Sequence, residues 1–420
     1  MENYDAPRVY GRCYDDHLLT FPEIDNEGNR TVLHRGKADH STWHFTRVYA
    51  DGTVCKLDML VYVDDSATMF KPDTYGWQLY NDVCGHVNQR FSLKKGPDGG
   101  FGKEANSFLG CDIFHDWKNH TVSVALPGKV KHALEISGMT DCNPKDTPGV
   151  PNEFLTADDC PRNGGEPCPP GCNYAGVVGT LLWVCRMVRP DLMQRTVELA
   201  KFMHDPGLAH WHAAKHALAY LKRTQNECLV YKQDPSITEQ TYRFKMHVDA
   251  NYAPDDGNSV RRLHSTTGWI ATQNNVSVAH RSRRQAIIAD SSSASEFIAA
   301  ADCAKFVVWF RRLYADFGFP QNEPTILFED NESCSKLVAN YCGHDRVKHL
   351  DIRVAVVREI HAKDLITMRS VPDRDQLADI LTKVKPGPQV TRMRGWMLRG
   401  EVPEDCSTRD QLFEVPLNAA

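Results

Sequence analysis

The chain has 420 residues, of which 41% are hydrophobic and 25% are charged, and its formal net charge is −5 at pH 7. This length gives room for about two or three domains, and the composition is ordinary for a soluble globular protein. No apolar run approaches the ~20 residues that a membrane-spanning helix needs, and the N-terminus has no apolar leader. We therefore expect an intracellular protein (cytoplasmic, particle-associated or nuclear) that is not secreted and has no membrane partner.

Residues 1–140 combine strand-like runs with turns rich in Gly and Asp. One of these runs, LDMLVYVDDSATMF, places Asp64 and Asp65 directly after an apolar strand. Adjacent acids at a tight turn suit a polymerase, because both can face a metal-bound triphosphate. The alternative for this pattern by itself is a surface hairpin turn.

Residues 141–235 are predicted to form a connection, with a Pro/Gly/Cys-rich loop followed by helices. The loop contains Cys160, Cys168 and Cys172. A zinc site would need a fourth ligand at paired spacing, so free thiols are favoured, and the role of these cysteines stays open. His212 and His216 lie one helical turn apart, but we assign them to an amphipathic face rather than to a metal.

Residues 236–390 alternate strands and helices in the order three strands, helix, strand, helices, strand, helix, and residues 391–420 form a C-terminal tail. Acids fall at the ends of these predicted elements. Asp249 closes the first strand, Glu296 lies near the start of the first helix, Asp330 follows the fourth strand and Asp379 lies in the last helix.

Carboxylates brought together at one sheet edge would repel one another unless they bound divalent cations. We therefore expect Mg²⁺ or Mn²⁺, two per site, positioned to promote hydrolysis of a phosphodiester. The alternative is that each acid is a solvated cap of its own element. The acidic net charge does not exclude a nucleic-acid partner, because local basic patches such as Arg281, Arg283 and Arg284 can contact phosphate.

Several sequence words resemble copia-type LTR retrotransposon Pol polyproteins, over about residues 6–384. The words DANYAPD, SSSASEFIAA, EDNESC and DQLADILTK resemble those of the family's RNase H domain. The resemblance implies that these four words supply the catalytic, metal-binding acids, which are Asp249, Glu296, Asp330 and Asp379. It also implies that Asp64 and Asp65 in YVDD belong to a reverse transcriptase, and that HDRVKHLDIR, with Lys348 and Arg353, contacts the nucleic-acid backbone.

The resemblance implies an α+β chain: a partial reverse-transcriptase palm and thumb, a helical connection, and an RNase H-like mixed β-sheet domain. Three departures from the family are visible. Asn251 replaces an Asp, Ala294 replaces a Glu, and no His lies in the loop before Asp379. The family's first polymerase motif also has no counterpart here, so we expect the RNA-directed DNA polymerase activity to be lost.

The function predicted from the sequence is that of a ribonuclease H (an endonuclease) that cuts the RNA strand of RNA–DNA hybrids. Expected partners are the hybrid itself, other Pol chains and retroelement particle proteins. The alternative is a catalytically inactive retroelement relic or a domesticated nucleic-acid-binding protein. An integrase-type nuclease fits less well, because that family uses three acids in a different order and spacing.

Overall fold

A computed structural model describes residues 6–94, 100–102, 106–234, 243–252, 264–331, 334 and 351–406. The chain forms two compact units. The first unit comprises Met1–Ile113 with Trp309–Pro320, and the second comprises Phe114–Val308 with Gln321–Ala420. Within the described residues, no helix combines the length and the apolar character that crossing a membrane requires.

The first unit is a four-stranded antiparallel sheet with helices against it. In chain order it contains α1 (Ala6–Leu18), β1 (Arg30–Arg35), β2 (Thr42–Val48), β3 (Val54–Tyr62), β4 (Asp65–Phe70), α2 (Thr74–Asn88), β5 (Ser107–Phe108) and the start of β6 (Cys111–Asp116). The sheet order is β1-β2-β3-β4, and β5 pairs with β6.

The core of the first unit follows from the alternation of side chains along the strands. Every second residue of a strand points to the same face, so Leu57 and Met59 of β3 share a buried face. Leu79 and Val83 of α2 belong to the same buried cluster. Asp73 caps α2 by accepting a hydrogen bond from the Gly76 amide at 2.9 Å.

The second unit contains the remaining elements. In chain order these are β7 (Thr121–Ala125), α3 (Pro127–Ile136), α4 (Tyr174–Met187), α5 (Met193–Ala200), α6 (Leu208–Arg223), β8 (Leu229–Lys232), β9 (Phe244–Asn251), β10 (Thr266–Gln273), β11 (Val276–Arg284), α7 (Ser292–Asp316), β12 (Thr325–Glu329), α8 (Asp351–Ala362), β13 (Ile366–Ser370) and α9 (Gly387–Arg399). The last turns of α7, from Trp309, are part of the first unit.

A five-stranded mixed sheet, in the order β11-β10-β9-β12-β13, forms the centre of the second unit. β11, β10 and β9 are antiparallel neighbours, whereas β12 runs parallel to both β9 and β13. The predicted α+β class is confirmed. The short helix predicted in ESCSKLVANYC lies outside the described residues except for Cys334.

The helical connection packs with this sheet inside the second unit. His280 of β11 donates from Nε2 to the carbonyl of Cys185 in α4 at 2.8 Å. Tyr231 of β8 donates from its hydroxyl to the carbonyl of Ser277 at 2.7 Å. These contacts join the predicted connection to the mixed sheet within the second unit.

The predicted closing helix over DQLADILTKV is replaced by two 3-10 turns, Asp373–Asp375 and Leu377–Leu381. Gln376 separates them with φ −76° and ψ 97°, which is not a helical conformation. Its buried side chain donates to the carbonyls of Val248 at 2.8 Å and Phe328 at 3.3 Å, on β9 and β12. Residues 391–399, which the prediction assigned to the tail, complete helix α9.

Candidate metal centre

Three of the predicted acids meet at one edge of the mixed sheet. Asp249 lies near the end of β9, Asp330 directly follows β12, and Glu296 lies in the first turns of α7. One carboxylate oxygen from each lies within 4.8 Å of the others. Because β9 and β12 are parallel neighbours, their carboxyl ends open at the same edge.

Helix α7 brings Glu296 to this edge through its N-terminal cap. The Ser291 hydroxyl accepts a hydrogen bond from the Ala294 amide at 3.2 Å and so caps the helix. Seven per cent of Glu296 is exposed to solvent. Burial of a charged carboxylate costs free energy, because the charge loses its contact with water, unless a cation or a proton neutralises it.

Asp379, the fourth predicted acid, is fully buried in the Leu377–Leu381 turn. It is absent from the three-acid group and forms ion pairs with Lys383 at 2.6 Å and with Lys385. It is still close enough to raise the pKa values of Asp249 and Asp330. The structure therefore brings three of the four acids together and places the fourth beside them, paired with lysines.

Electrostatics within the group favour the protonated carboxyls. Burial, followed by repulsion from Asp379, raises the pKa of Asp249 to about 7. Burial and then the charge on Asp249 raise the pKa of Glu296 to about 9. Burial raises the pKa of Asp330, with Asp379 the next cause. Burial and mutual repulsion therefore favour the protonated forms of these acids unless a cation is bound.

A further acid, Glu329, which the sequence words did not predict, is fully buried at the end of β12. Its Oε1 accepts from the Asn331 amide at 3.2 Å. Burial and the neighbouring Glu296 raise its pKa well above the ordinary value. The available signal was the word EDNESC itself, which places Glu329 directly before Asp330.

These side chains offer the donor set that a hard divalent cation prefers. Mg²⁺ and Mn²⁺ take oxygen ligands, and every candidate ligand here is a carboxylate. Among the described residues, Oε2 of Glu296 and Oε2 of Glu329 are buried without a hydrogen-bond partner. A buried oxygen of this kind can be satisfied by its own proton, by water or by a bound cation.

Two residues position the Asp379 segment against the sheet. Gly268 of β10 pairs with Asp249 of β9. A Cβ on Gly268 would lie 2.6 Å from Thr382 Cγ2 and 2.9 Å from Leu381 Cβ. The Thr382 hydroxyl in turn donates to Asp249 Oδ2. Because Gly268 has no side chain, Leu381 and Thr382 can pack closely against β10. This packing brings the Thr382 hydroxyl within hydrogen-bonding distance of Asp249.

Two of the five residues predicted to bind phosphate lie at the same sheet edge as the acids. Arg283 and Arg284 are exposed at the end of β11 and pair through β10 with Ala250 and Asn251, so they share the sheet edge of Asp249. Arg281 is half-exposed, and its Nη1 lies 3.7 Å from Oδ2 of Asp302. Arg353 is half-buried in α8. Lys348 lies outside the described residues.

The YVDD segment forms the tight hairpin between β3 and β4. Tyr62 pairs with Asp65 across the turn, and both Asp64 and Asp65 are exposed. Val63 has φ 53°, a left-handed conformation that is strained for a β-branched residue. Among the residues that the structure describes, Asp64 and Asp65 belong to no group of ligands that could hold a metal.

The cysteines and histidines of the connection form no such group within the described ranges either. Cys160 is buried, and Cys168 donates from Sγ to the Gly207 carbonyl at 3.4 Å. His216 donates from Nε2 to the Thr147 carbonyl at 3.1 Å, whereas His212 is exposed. These contacts give His216 a structural role in the loop-to-helix packing.

The chain is similar in sequence to polyproteins from plant transposons. The chain is 28% identical over 334 residues to the retrovirus-related Pol polyprotein from transposon TNT 1-94 of Nicotiana tabacum, a match covering 78% of this chain. It is 27% identical over 382 residues, or 90% of this chain, to the corresponding polyprotein from transposon RE1 of Arabidopsis thaliana. It is also 31% identical over 136 residues, 32% of this chain and 89% of the relative, to the secreted RxLR effector protein 161 of Plasmopara viticola.

The predicted resemblance to copia-type Pol polyproteins is confirmed by these similarities. The chain spans 23% of the length of each of the two polyproteins. No protein-family model matches the chain.

Proposed function

We propose that this chain, a relative of the retrovirus-related Pol polyproteins of copia-type transposons, is a metal-dependent ribonuclease H that cuts the RNA strand of RNA–DNA hybrids. The observation that carries the proposal is the three-acid group of Asp249, Glu296 and Asp330. These acids come from three separate elements that meet at one sheet edge, and they coincide with the sequence words that resemble the family's RNase H.

Asp249, Glu296 and Asp330 are the residues that would hold Mg²⁺ or Mn²⁺, two ions per site, with Asp379 beside them. When bound, such cations supply Lewis-acid stabilisation of the charge that develops on phosphodiester oxygens. The chain's own residues position the ligands. Thr382 fixes Asp249, and Lys383 neutralises Asp379 from 2.6 Å. Burial of the acids keeps bulk water away from the reacting groups, which strengthens every charge interaction inside the site.

The substrate class follows from the surroundings of the acids and from the resemblance. Arg283 and Arg284 are exposed at the same sheet edge as Asp249, which suits contact with a backbone phosphate. Selectivity for a hybrid is proposed from the family resemblance, through A-form-like groove shape and 2′-OH contacts on the RNA strand.

A second candidate is a nucleic-acid-binding protein without turnover. The observation that favours it is the double ion pair of Asp379 with Lys383 and Lys385, which occupies a carboxylate that the family's site uses. On this alternative the lysines have replaced a cation, and the basic sheet edge still binds phosphate.

The experiment that tests the proposal compares cleavage of three duplexes by the full chain with Mg²⁺ or Mn²⁺. The substrates are an RNA–DNA hybrid, an RNA duplex and a DNA duplex of one sequence, each labelled on both strands. We expect cuts only in the RNA strand of the hybrid, and none after EDTA is added. Hybrid binding without cleavage would contradict the proposal and favour the second candidate.

A further inference from the structure

The parallel strands β9 and β12 leave each other shortly before the acids of the candidate metal centre. The last residues of the two strands that are in register are His247 and Phe328. Beyond them, β9 stays paired with β10 and β12 stays paired with β13. Asp249 and Asp330 each lie two residues beyond the last pair. The distance between these two carboxylates therefore depends on what holds the strand ends beyond that pair.

The side chain of Gln376 bridges the two strands at this point. Its Nε2 donates to the carbonyl of Val248 on β9 at 2.8 Å and to the carbonyl of Phe328 on β12 at 3.3 Å. The amide nitrogen of a glutamine carries two hydrogens, so one side chain can serve both strands. Gln376 is fully buried, and a buried carbonyl without a donor is destabilising. The two bonds therefore favour one separation of the strand ends.

The Gln376 amide is also fixed on its other side. Its Oε1 accepts a hydrogen bond from the Ala378 amide at 3.3 Å and so caps the Leu377–Leu381 turn. The Leu377 amide donates to Nδ1 of His247, on β9, at 3.4 Å. Because the amide is bonded to β9, β12 and the turn, it cannot shift without breaking one of these bonds.

We propose that Gln376 is a positioning residue of the metal centre, whose amide sets the separation of Asp249 and Asp330 and thereby the size of the cation that the site prefers. The inference rests on the proposed metal-dependent function and deepens it. One carboxylate oxygen of Asp249 lies within 4.8 Å of one of Asp330. Mg²⁺ requires oxygen ligands at about 2.0–2.1 Å in a strict geometry, whereas Ca²⁺ accepts about 2.3–2.6 Å in a flexible one. A fixed separation therefore favours Mg²⁺, and a loosened one favours Ca²⁺.

The test measures the affinities of the full chain and of Gln376→Met for Mg²⁺ and for Ca²⁺. Each ion is titrated against bound Mn²⁺, and the released Mn²⁺ is measured by electron paramagnetic resonance. Methionine has a length similar to that of glutamine but offers no donor to either strand. We expect the preference for Mg²⁺ over Ca²⁺, which is the ratio of the two dissociation constants, to fall at least about fivefold. A merely structural role would leave this ratio unchanged, because partial unfolding lowers both affinities by the same factor.

Gln273→Met is the matched control. Gln273 is also a buried glutamine, and its Nε2 donates to Oδ1 of Asn274 at 3.2 Å. It pairs with Phe244 at the start of β9, at the opposite end of that strand from Asp249. The preference of this variant for Mg²⁺ should equal that of the unmodified chain.

Gln376→Asn is the second variant, for the case that Gln376→Met does not fold. It keeps an amide but is one methylene shorter, so we expect it to reach the carbonyl of one strand and to lower the preference for Mg²⁺ as well. An unchanged preference in the folded Gln376 variants overturns the inference. Failure of both variants to fold also overturns it, because Gln376 would then determine the fold rather than the separation of the acids.

The same titrations distinguish this inference from the proposed function. If the unmodified chain binds no Mn²⁺, the proposed function fails and the role of Gln376 fails with it. If the unmodified chain binds Mn²⁺ and cuts the hybrid while the Gln376 variants keep its preference for Mg²⁺, only the role of Gln376 is refuted.

Discussion

At the scale of single residues, the candidate centre is dominated by buried carboxyls that repel one another. Asp249 and Glu296 have pKa values of about 7 and about 9, both raised first by burial. Sequence words that resemble the family's RNase H single out these two residues, and the structure places both in one three-acid group. Glu329 and the lysine partners of Asp379 were not predicted, because which charges meet depends on tertiary contacts between distant elements.

The raised pKa of Glu296 predicts how stability depends on pH without metal. Its folded-state pKa lies above the ordinary value, so the protonated form favours folding. The stabilisation that protonated Glu296 contributes is complete when the pH is below the ordinary pKa of a glutamate. It is lost as the pH rises toward the folded-state pKa of about 9. In EDTA, the free energy of unfolding of Glu296→Gln should therefore rise relative to that of the unmodified chain by about 1 kcal/mol for each pH unit between pH 5 and pH 8. Urea denaturation at each pH measures this difference, and a difference that stays constant with pH would refute it.

Val63 supplies a prediction about the YVDD hairpin. Its φ of 53° is unfavourable for a β-branched side chain but tolerated by Asn. Val63→Asn should stabilise the hairpin by about 1 kcal/mol, slowing hydrogen exchange of the β3 and β4 amides about fivefold. Val54→Asn, at an exposed strand position, is the control and should not slow exchange. Faster exchange in Val63→Asn would show that the valine makes contacts that outweigh its strain.

At the scale of elements, the sheet edge is shaped by β9, β12 and the segment that crosses their ends. Alternating apolar residues predict a half-buried strand at β9, where Phe244, Met246 and Val248 are buried. The structure buries both faces of this strand, because His247 and Asp249 are buried as well. The same approach predicted a helix over DQLADILTKV, because apolar spacing cannot reveal that Gln376 bonds to the carbonyls of Val248 and Phe328. Those tertiary bonds interrupt the helix and hold Asp379 beside Asp249.

Gly268→Ala tests this arrangement. The added Cβ would meet the Ala378 carbonyl oxygen at 3.1 Å as well as Leu381 and Thr382, so the Leu377–Leu381 turn must shift. We expect a loss of about 1–3 kcal/mol in the free energy of unfolding and weaker Mn²⁺ binding. Urea denaturation and calorimetry measure the two effects.

The matched control is Gly179→Ala in α4, where nothing lies within 4 Å of the added Cβ. There the substitution should stabilise the helix by about 0.5–1 kcal/mol. If Gly268→Ala behaved like Gly179→Ala, close packing at β10 would not position the turn.

In the whole molecule, the two acidic sites predicted from the sequence lie in different compact units. The YVDD hairpin lies in the first unit, and all the acids of the candidate metal centre lie in the second. The α+β class and the family resemblance were accessible from sequence words that run along most of the chain. The contacts between the connection and the mixed sheet, such as that of His280 with Cys185, were not, because they join residues far apart in the sequence.

The central claim is that the group around Asp249 catalyses hydrolysis of RNA in a hybrid. The most direct test is the rate at which the full chain with Mn²⁺ cuts a labelled RNA–DNA hybrid, measured beside Asp249→Asn and Asp364→Asn. Asp364 is exposed and has φ 53°, which Asn adopts readily, so its variant controls for an Asp-to-Asn change elsewhere. We predict that Asp249→Asn cuts at least about 100-fold more slowly, while Asp364→Asn cuts like the unmodified chain. No cleavage by the folded, Mn²⁺-loaded chain, or equal cleavage by Asp249→Asn, would contradict the claim.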